Sequence, residues 1–443
     1  VVSGQTGYMD KVNALYAGAD DYIVKPFHEQ ELAARIYTAL RRRIPGGQGS
    51  FYQAGDLKID SMEADGLVLT IHTTEECPSL MNYLSEPYGC IIDMDEGVTE
   101  DGIVVGTGPF VATELVTDDH LNLVKNENYW DGEVPLDKVT LKCVDDQTTR
   151  SMALQTGEID IAYNLKTENL IEFEGNDNYE IQELQSLRST YAFMNQSEGR
   201  ALSDKALRQA LLRGLDKQTY CDVLLEGGAT AGKAPVPPTL DFGFDDLNDE
   251  NSYDPEGAKA ILDEAGYKDT DGDGFVETPD GDPLTLDFVI YTSRAELGVY
   301  AQAAQASLKE IGINVNLNTV SYETLLDMRD SGQYDLLIWN VLVANTGDPE
   351  NYLRENWYSA SANNTAGYNN PEVDELLDEL AGTFDEEGRK DLIIKIQQDI
   401  MDDAATVFFG YETTYLFSNK RVTGVKMYPM DYYWLTKDIT LAE

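Results

Sequence analysis

Residues 106–163 contain, in order, GTGPF (106–110), ATEL (112–115), LVKNENYWDG (123–132) and KVTLKCVDDQTTRSMALQTGEIDIAY (138–163). GTGP is a turn, because glycine reaches positive φ without steric cost and Pro109 fixes its own φ. A hairpin strand is expected at Leu121–Lys125. Val139, Leu141 and Cys143 alternate as on a half-buried strand, which makes Cys143 a buried residue. Gln147–Gln155 suits a helix with Met152 and Leu154 turned inward and Gly157 at its end. Ile159, Ile161 and Tyr163 open another strand. Taken alone, these residues describe an α/β lobe around a hydrophobic sheet.

The same grammar continues toward the C-terminus. Upstream, Leu67, Leu69 and Ile71 alternate as a strand. Downstream, Ser203 is placed to cap a helix carrying Leu207, Ala210, Leu211 and Leu215 on one face. Asp254–Gly266 reads as a helix with an Asp cap, Pro255 at its first position, Ile261 and Leu262 inward and a terminal glycine. Leu284–Ile290, Ile313–Leu317 and Tyr334–Asn340 are strands separated by helices at Glu296–Ile311 and Tyr322–Arg329, a pattern that predicts a parallel α/β sheet. Helices follow at Glu372–Ala381 and Asp385–Asp403, then a strand at Phe408–Phe417.

Composition bounds the function. The chain of 443 residues carries a net charge of −48, which repels nucleic-acid phosphates and anionic membranes and attracts cationic ligands or metal ions. No apolar run approaches the ~20 residues that span a membrane. No export signal or lipid-anchor cysteine opens the chain, which starts at Val1 and so reads as a fragment. The four cysteines contain no CxxC pair. Cys221 reads as a helix residue, and a Cys77–Cys90 bridge is open in an oxidising compartment. Enzyme motifs such as G-x-S-x-G and HExxH are missing, and His28, His72 and His120 lie in different elements. The motif evidence therefore predicts no catalytic residues, and no cofactor or metal centre is expected.

The order of the phrases from Gly106 to Tyr163, with the pattern from Gly66 to Glu443, resembles the family 5 extracellular solute-binding proteins of ABC importers of the peptide and nickel type. The resemblance implies a two-lobed type II periplasmic-binding-protein fold with its first lobe N-terminally truncated. It divides the chain into lobe I (67–188), lobe II (189–414) and a return to lobe I (415–443), with hinge strands near Tyr191–Asn195 and Tyr411–Phe417. It further implies extracytoplasmic location, permease subunits as partners, a monomer, and a peptide or a nickel or metallophore chelate as ligand.

Residues 1–43 resemble something else. Tyr22–Val24 is a short strand, and Leu32, Ala33, Ile36 and Leu40 recur at helical spacing after a helix at Asp10–Ala17. ADDYIVKPF (19–27) is similar to the last third of a response-regulator receiver domain, of flavodoxin-like fold. By that resemblance Ser3 and Lys25 are the remnants of its phosphoryl switch. Residues 44–66 then read as a linker that ends in the opening strand of a winged-helix-like segment, with the seam near Ser61–Gly66. Two rival readings follow: a signalling hybrid, or a non-functional mosaic of two truncated genes.

Candidate ligand residues follow strand ends, where open α/β sheets place their crevice. Arg294, in YTSRAEL (291–297), sits where a helix N-terminus favours anions. Trp339 begins the loop that runs to Pro349. Family peptide binders hold the peptide amino group with an aspartate four residues before the matching proline. Here that position is Asn345, which lacks the charge. Asp348, Tyr352, Tyr191 and Asn195 complete the expected set. Asp269-Thr-Asp-Gly-Asp-Gly, with Glu277 and Asp280, has calcium-loop spacing but reads first as a turn held by side-chain-to-backbone bonds.

Overall fold

A computed structural model of the chain describes residues 2–3, 23–24, 52–54, 57–66, 68–85, 91–93, 98–99, 102–165, 167–291, 294–344, 347–430 and 435–442. The chain divides into two compact units, Val1–Cys77 and Pro78–Glu443.

In the first unit, β1 (Val2–Ser3) pairs in parallel with β2 (Ile23–Val24). Strands β3 (Tyr52–Ala54), β4 (Leu57–Asp65) and β5 (Val68–Thr73) form an antiparallel sheet. The seam expected near Ser61–Gly66 falls inside β4 and its hairpin turn, where Gly66 takes a positive φ of 61°. β5 covers Leu69 and Ile71 of the strand expected from the alternation of Leu67, Leu69 and Ile71, with Leu69 exposed. The expected helices at Asp10–Ala17 and 32–43, Lys25, Asn345 and Cys90 of the Cys77–Cys90 bridge lie outside the described residues.

The second unit begins with α1 (Leu80–Leu84) and an antiparallel sheet of β6 (Phe110–Val116), β7 (His120–Lys125) and β8 (Lys138–Lys142). Cys143 is exposed, because β8 ends one residue before it. Helix α2 (Gln147–Thr156) starts as its sequence predicts: the Asp146 carboxylate accepts from the Thr149 amide, and Gly157 leaves the helix at φ 74°. Met152, expected inward, is 60% exposed while Leu154 is fully buried. Two residues apart on a helix are about 200° apart in angle and cannot share a face.

Next come β9 (Ile161–Tyr163), α3 (Leu170–Phe173), β10 (Tyr179–Met194) and α4 (Lys205–Arg213). Asp204, not Ser203, caps α4, because Ser203 closes a 3-10 turn and its hydroxyl donates to the Arg200 carbonyl at 2.7 Å. A helical turn runs into a π-helix at Tyr220–Leu224, followed by β11 (Ala229–Ala231) and α5 (Pro255–Ala265). The Asp254 carboxylate accepts from the Gly257 amide at 2.9 Å. Asp254→Ala is expected to cost about 1 kcal/mol, read as a shift in urea midpoint at unchanged slope.

The remaining elements are β12 (Thr285–Tyr291), α6 (Ala295–Glu310), β13 (Asn314–Val320), α7 (Tyr322–Ser331), β14 (Leu336–Leu342), α8 (Glu350–Trp357), α9 (Pro371–Ala381), α10 (Glu386–Asp402) and β15 (Thr406–Asn419). The main sheet has seven strands in the order β11-β15-β10-β14-β12-β13, with β9 on the far part of β15. β12 is parallel to β13 and β14, as the strand–helix–strand pattern predicts. β10 runs antiparallel to both β14 and β15, so the sheet is mixed. No helix among the described residues is long and apolar enough to cross a membrane.

Two hydrophobic clusters share the long strands. The larger takes Tyr191–Met194 of β10 and Val407–Phe409 of β15 with the helices of residues 202–405. The smaller gathers Leu154, Ala162, Leu165, Phe173, Tyr415 and Phe417 against Tyr179 and Ile181. At ~1.5–3 kcal/mol per buried large side chain, each cluster anchors its own end of β10 and β15.

Candidate functional site

Between its two apolar ends β10 turns polar at Gln185, Ser186, Arg188, Ser189 and Thr190. β15 does the same at Glu412, Thr413 and Thr414. The β10–β15 ladder is irregular between Gln185 and Ser189 and again between Thr190 and Tyr191. Apolar side chains here would fuse the two clusters; polar ones keep them apart and leave a wettable floor. Tyr191–Met194 of the expected hinge segment pack in the larger cluster, with Tyr191 and Met194 fully buried. One strand irregularity lies between Gln185 and Ser189, opposite Tyr411–Thr413, and the other falls between Thr190 and Tyr191, at the start of that segment.

A cleft of about 350 Å³ opens over this floor. Its walls include Gln147 and Tyr163 from the side of the smaller cluster and Arg294 and Glu296 from that of the larger. Arg188 and Glu412 rise from the strands themselves. Arg294 sits at the N-cap of α6, just past β12, with its guanidinium 3.9 Å from the Glu296 carboxylate. A hydrogen-bonded chain crosses three strands. Arg188 Nη1 donates to Asn340 Oδ1 at 2.9 Å, Asn340 Nδ2 to Thr190 Oγ1 at 2.6 Å, and Thr190 Oγ1 to Glu412 Oε1 at 2.6 Å. Burial pushes the Glu412 carboxyl up to about 8, and the Glu296 charge adds to this; the Thr190 hydrogen bond, Arg294 and Arg188 oppose it.

A second cavity of about 240 Å³ lies over the opposite side of β14, lined by Tyr191, Trp339, Tyr352, Arg329 and Asp348 among others. The Arg329 guanidinium lies 5.1 Å from the Trp339 ring centre, and the Tyr322 ring stacks on Trp339 at 6.2 Å. Burial raises the Tyr191 and Tyr352 hydroxyls well above the ordinary phenol range. Asp348 is held by Arg389, whose Nη2 donates to Asp348 Oδ2 at 2.7 Å.

The expected ligand residues therefore part company. Arg294 lines the cleft; Trp339, Asp348, Tyr352 and Tyr191 line the second cavity. Asn195 lines neither of these two, since its amide is spent on the Gly332 and Tyr334 carbonyls at 3.1 and 3.0 Å and its carbonyl on the Ser197 amide. Sequence reasoning passed over Arg188, Glu296 and Glu412. Their signal was faint: Arg188 and Glu412 are single charges inside runs of Ser, Thr and apolar residues, and Glu296 is in the quoted YTSRAEL phrase.

At the calcium-like loop, Asp269 accepts from the Gly272 and Gly274 amides at 2.7 and 3.0 Å. Asp271 and Asp273 each accept from the amide two residues on. Their oxygens lie within 4.8 Å of one another, on the surface. These bonds are those of a turn.

Comparison with known proteins follows the same outline. The family model for bacterial extracellular solute-binding proteins, family 5 (middle), matches residues 30–364. It begins inside the stretch that resembles a receiver domain, and the comparisons lend that second resemblance no support. The chain is 29% identical over 354 residues to heme-binding protein A of Haemophilus influenzae, covering 79% of this chain and 62% of that one. It is 26% identical to di/tripeptide-binding protein 2 of Pseudomonas aeruginosa, covering 80% and 66%, and 24% identical to the nickel-binding protein NikA of Staphylococcus aureus, covering 87% and 75%. The chain thus spans less than two thirds of the length of the first two of these curated relatives. Among solved structures, a nickel ABC transporter protein from Bacillus halodurans superposes with TM-score 0.70 at 29% identity, covering 86% of this chain and 78% of that one. NikA from Brucella suis in complex with Fe(III)-EDTA superposes with TM-score 0.76 at 22% identity, covering 87% and 79%.

Proposed function

Because the chain belongs to the family 5 bacterial extracellular solute-binding proteins, we propose that it is the solute-capturing component of an ABC importer, holding a small peptide or a nickel chelate for delivery to permease subunits. The family is one of solute-binding proteins rather than enzymes, and its members act outside the cytoplasm. The observation that carries this reading is the cleft over β10 and β15, where two hydrophobic clusters meet across a polar floor.

Residues 67–188 and 415–443 form lobe I and residues 189–414 form lobe II. Closure pivots at the irregular pairing of Gln185–Ser189 with Tyr411–Thr413. A cleft of about 350 Å³ falls at the small end of ordinary ligand sites, ~300–1,000 Å³. Its described walls hold guanidiniums and carboxyls but no histidine or cysteine. Nickel would therefore arrive inside a chelate that brings its own nitrogen ligands. The protein works as a monomer outside the membrane, with no nucleic-acid partner.

Residues 1–43 keep their reading as a receiver fragment on the phrase ADDYIVKPF and on the parallel pairing of Val2–Ser3 with Ile23–Val24. Long-read sequencing of the source DNA across codons for residues 40–70 tests whether the two parts share one natural reading frame.

A thermal melt against di- and tripeptides, nickel, nickel with histidine, hemin and buffer tests the transport reading. A ligand at a hundredfold above its Kd adds ~2.7 kcal/mol, a shift of a few degrees. A cooperative melt that no probe moves would remove the transport assignment from this chain.

A further inference from the structure

We propose that α1 is a strap that closes the second cavity, and that Ser79 is the residue that fastens it. The inference goes beyond the capture reading and does not depend on which solute is captured.

Ser79 breaks a local rule. It stands at the N-cap of α1, where a serine hydroxyl ordinarily accepts from an amide two or three residues on. Here it makes no such bond, and its backbone, at φ −83° and ψ 12°, is not in the extended form that capping uses. The hydroxyl is diverted to residues 271 and 310 positions away: it donates to Glu350 Oε2 at 2.9 Å and accepts from Arg389 Nη2 at 3.2 Å. All three residues are buried. Hydrogen bonds to charged groups out of water are stronger than the cap they replace.

The rest of α1 has little to hold it by packing. It spans five residues, none of them buried, with Met81 74% exposed. Helices shorter than about 12 residues are marginal in water on their own. Its Tyr83 amide donates to the Ser79 carbonyl and the Ser85 amide to the Asn82 carbonyl, both at 3.0 Å. Those bonds persist only while the segment stays docked.

The fastening point and the second cavity share a wall. Tyr83 of α1 lines that cavity together with Asp348, Tyr352 and Ala344. Glu350 is the first residue of α8, which carries Tyr352, and Arg389 holds Asp348. Release is also inexpensive. Glu350 keeps Arg389 at 2.8 Å when Ser79 departs, so opening breaks two hydrogen bonds and strands no buried charge. A group from solvent would reach the cavity while the strap is off.

The test is hydrogen exchange of the full chain read by mass spectrometry, with cysteine labelling as a second arm. Peptides covering residues 80–85 should exchange at least about tenfold more slowly than in the unfolded chain. In Ser79→Ala they should exchange about ten- to a hundredfold faster than in the wild type, with β10 and β15 unchanged. Ser79→Asp separates a strap from a helix cap. Aspartate is a good cap, but beside Glu350 it cannot donate and it repels, so it too should release α1. In the second arm, the cysteine of Ala344→Cys should react with iodoacetamide more slowly than the exposed Cys143, and about tenfold faster once Ser79→Ala is added. Val341→Cys, at another residue of the same lining, serves if Ala344→Cys does not fold.

Unprotected α1 amides in the wild type, or an unchanged rate in Ser79→Ala, overturns the proposal. Protection that survives in Ser79→Asp makes Ser79 a helix cap and overturns it as well. Equal acceleration in β10 and β15 assigns Ser79 to the stability of the whole unit instead. A labelling rate that Ser79→Ala leaves unchanged shows that α1 does not close the cavity. Neither arm uses a transported solute, so these outcomes are distinct from success or failure of the capture reading.

Discussion

Arg389→Met is expected to destabilise the Pro78–Glu443 unit by about 3–5 kcal/mol, the usual cost of removing one partner from a buried charge cluster. Arg389 is 7% exposed. Its Nη2 donates to Asp348 Oδ2 at 2.7 Å, to Glu350 Oε2 at 2.8 Å and to Ser79 Oγ at 3.2 Å; its Nη1 donates to the Leu380 and Thr383 carbonyls at 2.9 and 3.0 Å. Glu350 is 8% exposed and accepts a further bond from Ser79 at 2.9 Å. Methionine matches the arginine stem in bulk, so packing largely survives while the buried Glu350 and the half-buried Asp348 carboxylates lose the Arg389 charge. Urea unfolding measures the loss. Adding Asp348→Asn and Glu350→Gln to Arg389→Met should recover part of it, because the stranded charges are gone. A loss below about 1 kcal/mol for Arg389→Met would mean that water reaches the cluster and that it contributes no more than a surface pair. The local consequence is at the second cavity. Asp348 and Leu342–Ala344 both line that cavity, so loss of the Arg389 contact at Asp348 should loosen its wall.

Arg294→Gln is expected to weaken carboxylate-bearing ligands about ten- to a hundredfold with little change in stability. A hydrogen bond to a charged group contributes ~1.5–3 kcal/mol, and each 1.4 kcal/mol is tenfold in affinity. Stability should hold because the ion pair of Arg294 with Glu296, at 3.9 Å, is long and the Arg294 side chain is 34% exposed. Such pairs contribute ~0–1 kcal/mol. The readout is selectivity. The wild type should prefer a dipeptide with a free C-terminal carboxylate over its amide, and Arg294→Gln should bind both alike. Equal weakening of acid and amide would assign Arg294 to the shape of the α6 N-terminus instead. Arg188→Gln should show the same loss of selectivity together with lower stability, because Arg188 also anchors Asn340 at 2.9 Å on the neighbouring strand.

Much of this architecture is written in short windows of sequence. Asp146 with Gly157, and Asp254-Pro255 with Gly266, start and stop their helices through contacts within four residues, and the observed ends agree. The parallel arrangement of β12, β13 and β14 follows from strands alternating with helices. Where local reading failed, a neighbour or the turn angle of a helix decided. Met152 faces solvent because Leu154 takes the buried face, and Ser203 yields the cap to Asp204 because it is occupied with Arg200.

The candidate site divides along the same line. Arg294 was legible, since a charge placed between a strand end and a helix start is a local pattern. So was the aromatic character of Trp339, though not the cavity it serves. Arg188, Thr190, Asn340 and Glu412 were not legible, because nothing near each residue names the others; only strand register sets Thr190 opposite Asn340 on one side and Gly410 on the other. The sequence by itself determined the family, the capped helices and the α/β alternation, all of which depend on neighbours a few residues away. The tertiary structure alone decided that β10 and β15 serve two hydrophobic clusters, that a charged cleft lies over their polar middle, and that Trp339 and Arg294 line different cavities. Those outcomes depend on contacts such as that of Thr190 with Glu412, 222 residues apart, a distance at which the chain carries no local signal.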